Sequence, residues 1–402
     1  MSEAPSQPSP RRRAQRRKVK LLFLALFLPV LLELGAWTSG KLLQSRWAMY
    51  RDPVLPGQTS IDYDEYLRLR DPELGWPGPS SLGGELYERD GSCVSPANRD
   101  LAGEEWAVSL YGDSFTWGRN NQISAEDAWS NRLARALGKR VLNFAVPAYG
   151  TDQAYLRYLR NAQDTRAKVV VLGHMTEDMV RNLTRLRDLT GGGARELAFK
   201  PRFVLDAAGE LELVPLPRLS QAEYRRFLGL DSPQLVLEHE SFAPGGPMGA
   251  VRLTFPFTLA LLRNTGYWRF RARLGRYPDS VPLYRPGHPL RGLELTHAIL
   301  RAFGREAARR GQRPLVILFP GPNDAEHYQA TGEDVQEELA RRVEADGVAV
   351  LRFTPLLIGH LAGRPSASAF REGHFVPELD PFLVETVLQK LGELGVTARA
   401  GR

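Results

Sequence analysis

Hydrophobic positions along the chain follow two alternating textures. Short runs of β-prone residues at 107–111, 141–145 and 168–173 fit strands covered on both faces, and periodic apolar positions near 126–138 and 152–164 fit helices between them. The rhythm returns later: a helix near 292–310, a strand at 314–319, a helix near 333–345, a strand at 348–353 and a last helix near 380–394. Strands alternating with helices imply a parallel sheet covered by helices. The pattern predicts an α/β fold, a three-layer α/β/α arrangement with a mostly parallel five-stranded sheet. Between 183 and 291 the rhythm breaks for much longer than an ordinary α/β connection. This stretch reads as a large insertion after the third strand, beginning near Gly191-Gly192-Gly193. It contains a hairpin-like pair, 202–206 and 210–214, across Ala207-Ala208-Gly209.

A third texture lies near the N-terminus. Residues 21–37 are almost unbroken apolar, interrupted by Pro29 and Glu33. Seventeen residues at about 1.5 Å each span roughly 25 Å, and residues up to Ser39 extend this toward the roughly 30 Å of a bilayer core. Immediately before stand Arg11, Arg12, Arg13, Arg16, Arg17, Lys18 and Lys20, with Glu3 the one acid. The positive-inside rule keeps such a tail in the cytoplasm. No small-x-small cleavage site follows the apolar run, so the expectation is an uncleaved single-pass anchor, with the remainder periplasmic or extracellular. The chain then divides into a basic tail (1–20), a transmembrane signal-anchor (21–38), an irregular lead-in (39–105) and an α/β domain (106–395) with its insertion at 183–291. The lead-in is rich in Gly, Pro, Asp and Ser, notably Trp76-Pro77-Gly78-Pro79-Ser80-Ser81, and is expected to wrap the domain.

Charge and cysteine narrow the picture further. The formal charge is +7, but only +1 of it lies beyond Lys20. The high pI therefore belongs to the tail and gives no support for nucleic-acid binding by the globular part. Cys93 is the only cysteine, so no intrachain disulfide forms. The seven histidines show neither a His-Glu-x-x-His pairing nor a tight cluster, and no Gly-rich phosphate loop is present. No metal and no cofactor is expected.

The strand at 107–111 ends abruptly in Gly112-Asp113-Ser114-Phe115-Thr116. A serine lifted above the carboxyl edge of a parallel sheet stands where α/β proteins bind ligands. A serine hydroxyl becomes a nucleophile when a positioned base takes its proton and an acceptor orients that base. Gly112-Asp113-Ser114-Phe115-Thr116 resembles the first block of the SGNH, or GDSL-type, hydrolases, and three later segments follow in that family's order. Val141-Leu142-Asn143-Phe144-Ala145-Val146-Pro147-Ala148-Tyr149-Gly150-Thr151-Asp152-Gln153 resembles the second block, and Val169-Val170-Val171-Leu172-Gly173 running into Thr176-Glu177-Asp178 stands at the third. Arg371-Glu372-Gly373-His374-Phe375-Val376-Pro377 resembles the last.

The resemblance implies a flavodoxin-like SGNH fold and a catalytic set of Ser114, His374 and Glu372. It implies an oxyanion hole from the backbone N–H groups of Ser114 and Ala148, where the family usually has glycine in place of Ala148. The third block usually brings an asparagine amide, but Glu177 and Asp178 occupy the candidate positions here. Asn182, one helical turn beyond Asp178, is the remaining amide. The implied activity is removal of small acyl groups, most plausibly acetyl, from a cell-surface carbohydrate, with the membrane and polysaccharide-biosynthesis proteins as partners. An O-acyltransferase uses the same triad, and the acidic third block leaves open a catalytically silent carbohydrate-binding or assembly protein. Tyr267-Trp268-Arg269-Phe270-Arg271 interleaves aromatic and basic residues, suited either to sugar rings and acidic groups or to covering the domain and facing the membrane surface.

Overall fold

The computed structural model describes residues 10–47, 62–78, 86–119, 123–161, 166–190, 197–228, 238–243, 246–249, 251–275, 278 and 280–399. Gly191-Gly192-Gly193 and Pro79-Ser80-Ser81 lie outside the described residues. Five strands, β1 (Trp106–Tyr111), β2 (Arg140–Asn143), β3 (Val169–Met175), β6 (Arg313–Phe319) and β7 (Ala349–Arg352), form a sheet in the order β2-β1-β3-β6-β7. Every pairing in it is parallel, as the buried apolar runs require.

Side chains alternate across the sheet with the period of two that a pleated strand imposes. Val169 and Val171 of β3, with Leu315, Ile317 and Phe319 of β6, pack on one face against helices Trp129–Leu137, Phe353–Leu361 and Asp380–Glu393. Val170, Leu172, Val316 and Leu318 pack on the other face against helices Thr151–Asn161, Gly292–Arg309 and Glu337–Ala345. Helices Pro322–Thr331 and Phe353–Leu361 were not among those expected; the second is apolar almost all round, so it lacks the polar face that reveals a helix in sequence.

Chain order along the sheet reverses between β1 and β3. In open parallel sheets this switch point opens a crevice at the carboxyl ends of the strands, where ligands bind. Gly112, just after β1, and Gly173, within β3, keep that crevice narrow at its base. A Cβ on either would lie 2.1 Å or 1.9 Å from Thr116 Oγ1, so the threonine fills the gap that two glycines leave.

The insertion folds back onto this edge. Its hairpin pairs β4 (Arg202–Leu205) antiparallel with β5 (Leu211–Val214). Lys200, fully buried, makes an ion pair with buried Asp152 at the start of helix Thr151–Asn161 and donates to the Thr184 carbonyl at 3.2 Å. The Glu240 carboxylate accepts from the N–H groups of Arg185, Leu186 and Phe242 and from Thr184 Oγ1. Tyr284 reaches the sheet itself, donating to the Thr176 carbonyl at 3.1 Å and standing 2.8 Å from His174 Nε2. Burial holds His174 neutral, its pKa lowered to about 3.

The lead-in wraps the same half of the domain. Gln153 Nε2 donates to the carbonyls of Leu74 and Trp76, the Arg160 guanidinium bonds both Asp71 oxygens, and Cys93 N–H donates to Asn143 at the edge of β2. The N-terminal apolar run is part of one helix, Pro10–Trp47, continuous through Pro29. Within it, Arg17–Ser45 is long and apolar enough to cross a membrane, with a mean hydropathy of 2.1 over its best window and almost all of that window exposed.

Removing the Lys200 charge tests how firmly the insertion is held. Lys200→Met leaves the Asp152 carboxylate buried without its partner, a change that typically costs about 3–5 kcal/mol. The expected outcome is a clear drop in the thermal midpoint of the full chain, and an unchanged midpoint would show that the ion pair does not hold the insertion to the sheet edge.

Candidate active site

Asp113 sits between β1 and the short helix Ser114–Trp117, and its carboxylate caps that helix by accepting from the N–H of Phe115 at 2.9 Å. The cap presents Ser114 at the first helical position, on the switch-point edge. Just before helix Asp380–Glu393, strands β8 (Phe370–Arg371) and β9 (His374–Phe375) form a minimal hairpin. Its two-residue turn has Glu372 at φ 51° and Gly373 at φ 81°. Positive φ at both central positions is the type I′ geometry of tight hairpins. The first residue after the turn is His374.

This hairpin brings His374 Nε2 to 2.9 Å from Ser114 Oγ, across 260 positions of sequence. The imidazole lies along the Phe115 ring, centroids 5.5 Å apart, and Phe115 meets Phe375 edge-on at 4.9 Å. The residue after the serine thus packs against the histidine and against its neighbour, fixing the base relative to the nucleophile. At the other ring nitrogen, Nδ1 stands 3.2 Å from the main-chain oxygen of Glu372. The tautomer that suits both contacts carries its proton on Nδ1, donated to that carbonyl, and accepts the serine proton at Nε2.

Ser114, His374 and Glu372 therefore come together, but Glu372 reaches the imidazole through its backbone. Its side chain is exposed. The tight turn explains the difference: with one residue between acid and histidine, the carbonyl lies closer to Nδ1 than the turn's outward-facing side chain. The N–H groups of Ser114 and Ala148 have no protein acceptor among the described residues and remain available to an oxyanion. Ala148 adopts φ 68°, a conformation that favours glycine, the residue usual in the resembling family.

Asn182 is placed differently from the oxyanion role expected of it. Its side chain is fully buried; Nδ2 donates to Thr296 Oγ1 at 3.0 Å and Oδ1 accepts from Asp152 N–H at 3.2 Å. The amide is consumed in joining the third block to the helices behind the sheet.

The acidic third block is organised by a residue that sequence reasoning passed over, Arg181. Its Nη1 lies 3.2 Å from Asp113, 3.0 Å from Asp178 and 3.0 Å from the Tyr149 carbonyl, while Nη2 lies 3.2 Å from Glu177. Burial raises the pKa of Asp113, and the Arg181 charge opposes that rise. Asp178 is pushed well up, first by burial and then by the neighbouring Asp113 charge. The Arg181 charge holds Glu177 below the ordinary carboxylate value, and a charged His374 acts on it in the same direction. Three carboxylates thus face one guanidinium, and Asp178 is turned inward, with Oδ2 3.2 Å from the Met175 N–H. The only sequence signal was the spacing: Glu177 and Asp178 stand four and three residues before Arg181, on one helical face.

Beside the serine lies a cavity of about 20 Å³, lined by Ser114, Phe115, Trp129, His374, Phe375 and Leu383 among others.

No family model and no curated protein matches the chain. Among solved structures it is similar to TesA, with 12% identity over 72% of this chain and 99% of that one at a TM-score of 0.37. It is also similar to Axe2, an acetylxylan esterase from Geobacillus stearothermophilus, with 12% identity over 72% of this chain and 94% of that one at a TM-score of 0.37. A third is the psychrotrophic esterase EstA from a Pseudoalteromonas species, with 9% identity over 72% and 97% of the two chains and a TM-score of 0.33. Likeness at this level decides neither activity nor substrate.

Two substitutions separate the roles described. Glu372→Gln keeps the backbone carbonyl and should change ester turnover by less than about threefold, whereas loss of an orienting carboxylate typically costs about 10⁴-fold in kcat. A thousandfold loss on Glu372→Gln would return the role to the side chain. Arg181→Met strands Asp113 and Asp178 and should cost about 3–5 kcal/mol near neutral pH. With the guanidinium gone, the pKa values of both buried carboxyls rise further above their unfolded values. The folded state then holds more protons than the unfolded state over that interval, so stability falls as pH rises. Denaturant midpoints of the variant should therefore lie closer to wild type at about pH 5 than at about pH 8; a pH-independent deficit would contradict the charge argument.

Proposed function

We propose that this chain is a membrane-anchored serine esterase of the SGNH/GDSL type that removes small acyl groups, acetyl above all, from a carbohydrate at the cell surface. The observation that carries the esterase reading is the 2.9 Å contact between Ser114 Oγ and His374 Nε2 at the switch-point edge of the sheet. Ser114 attacks the acyl carbon as His374 takes its proton, and the Glu372 carbonyl steadies the Nδ1–H of the imidazolium. The Ser114 and Ala148 N–H groups receive the negative charge that develops on the acyl oxygen. His374 then returns the proton to the leaving alcohol, and water, activated by the same imidazole, releases the acyl group from the serine.

Support for a short acyl group comes from the cavity beside Ser114, whose volume of about 20 Å³ leaves room for little more than a methyl group or a water. Phe115, Trp129 and Phe375 wall it with aromatic rings. The anchor reading is supported by the exposed apolar helix and the basic cluster before it. The carbohydrate rests on the sequence resemblance.

Full-length protein in detergent, assayed on p-nitrophenyl acetate and on an acetylated polysaccharide, tests the reading. Ser114→Ala should lower acetate release about a thousandfold or more, with the fold unchanged by circular dichroism. The acetyl ester should be preferred over a hexanoyl ester by about tenfold or more in kcat/KM, since the cavity beside the serine is small. Equal, background-level rates for wild type and variant on both substrates would remove the esterase assignment.

A further inference from the structure

The apolar N-terminal helix is covered along one stripe. Ala36 and Gly40 are buried and Glu33 is half-buried, while the other positions from Leu21 to Ser39 are exposed. Spacings of three and four residues place these three on one helix face. What covers them comes from the insertion. Leu253 lies so close to Gly40 that a Cβ there would be 2.6 Å from its side chain, so the glycine is what admits the contact. The Glu33 carboxylate accepts from the main-chain N–H groups of Phe257 and Thr258, the first two residues of helix Phe257–Arg263. That helix begins after Pro256 with no side-chain cap of its own, and Glu33, 224 positions away, supplies one.

This contact explains an acid in an apolar run. A carboxylate at membrane depth is costly unless paired, and here two N–H groups and the positive end of a helix receive it. Around the contact the insertion is as apolar on its outside as the helix it docks on. Phe255 is 72% exposed, Leu262 64% and Leu274 68%. Leu28, Leu31, Leu32 and Leu34 on the long helix are exposed as well. Exposed apolar side chains gathered on two elements that dock on each other mark an interaction site. Exposed Arg263, Arg271 and Arg273 border it, a composition suited to anionic headgroups.

We propose that residues 253–275 form a second membrane-contact element, with helix Phe257–Arg263 and the exposed edge of helix Trp268–Gly275 seated in the lipid leaflet farther from the basic tail. The proposal rests on the anchor reading given above. Measured from Leu21, about 30 Å of hydrocarbon is crossed by Gly40, which puts Glu33 about 10 Å beneath the far boundary. That depth matches the roughly 5–10 Å at which interfacial helices bury their apolar faces. Trp268 is not a sugar platform here: its Nε1 donates to the Met248 carbonyl at 3.2 Å and its ring packs edge-on against Phe242. With the span at one point and the insertion at another, the domain is held to the membrane in a fixed orientation.

The test uses the full chain reconstituted in vesicles of phosphatidylethanolamine and phosphatidylglycerol, with an environment-sensitive fluorophore on Phe27→Cys, Phe255→Cys, Leu262→Cys or, as the water-facing reference, Arg341→Cys. Labels on the Phe255 and Leu262 variants should be quenched by doxyl-labelled lipid to within about twofold of the label on the Phe27 variant, and protected from aqueous iodide to a similar degree. The label on Arg341→Cys should show the reverse. If the Phe27 variant is lipid-quenched while the Phe255 and Leu262 variants are quenched only by iodide, the anchor stands and this proposal is overturned. If none of the three is lipid-quenched, the anchor reading fails and the proposal with it.

Discussion

One buried guanidinium, that of Arg181, draws segments from distant parts of the active-site edge to a single point. It meets the Asp113 carboxylate that caps helix Ser114–Trp117, the carbonyl of Tyr149 beside Ala148, and both acids of the third block. Buried charges persist when paired and hydrogen-bonded, and this one has four oxygen partners. Through Asp113 it fixes the orientation of Ser114, and through Tyr149 it fixes the loop that carries Ala148. The acidic third block, together with Asp113, is thereby drawn to the guanidinium.

The remaining buried polar contacts repeat that logic around the edge. Lys200 with Asp152 and Tyr284 with the Thr176 carbonyl tie the insertion to the second and third blocks, while Glu240 with the N–H groups of 185, 186 and 242 closes the insertion on itself. The insertion thus packs on the sheet through Lys200 and Tyr284 and on the N-terminal helix through Leu253, Phe257 and Thr258. One inserted segment serves the interior of the domain and its exterior together.

How far all this was visible in sequence depended on the range of each interaction. The five strands were legible because each is a continuous apolar run flanked by turn residues, and their observed ends differ from expectation by a residue or two. The 202–206 and 210–214 hairpin was legible for the same local reason. Ser114 and His374, which the structure brings into contact, could be singled out because the turn chemistry around each is written in neighbouring residues. The backbone role of Glu372 was not, since side-chain identity says nothing about which atom a two-residue turn aims at the imidazole. Asn182 misled because its partner, Thr296, lies 114 positions away. Arg181 was passed over because it looks ordinary beside its sequence neighbours, and Glu33, noted only as an interruption of the apolar run, becomes informative only when a distant segment closes around it.

The span of 260 residues between Ser114 and His374 also sets when the two side chains can meet. The serine turn and its first strands are made well before the β8–β9 hairpin. Sheet pairing between distant segments is slow, and domains complete their packing only when the missing element arrives. A half-made chain therefore carries Ser114 without its histidine contact. The hairpin works as a built-in delay on the assembly of that pair.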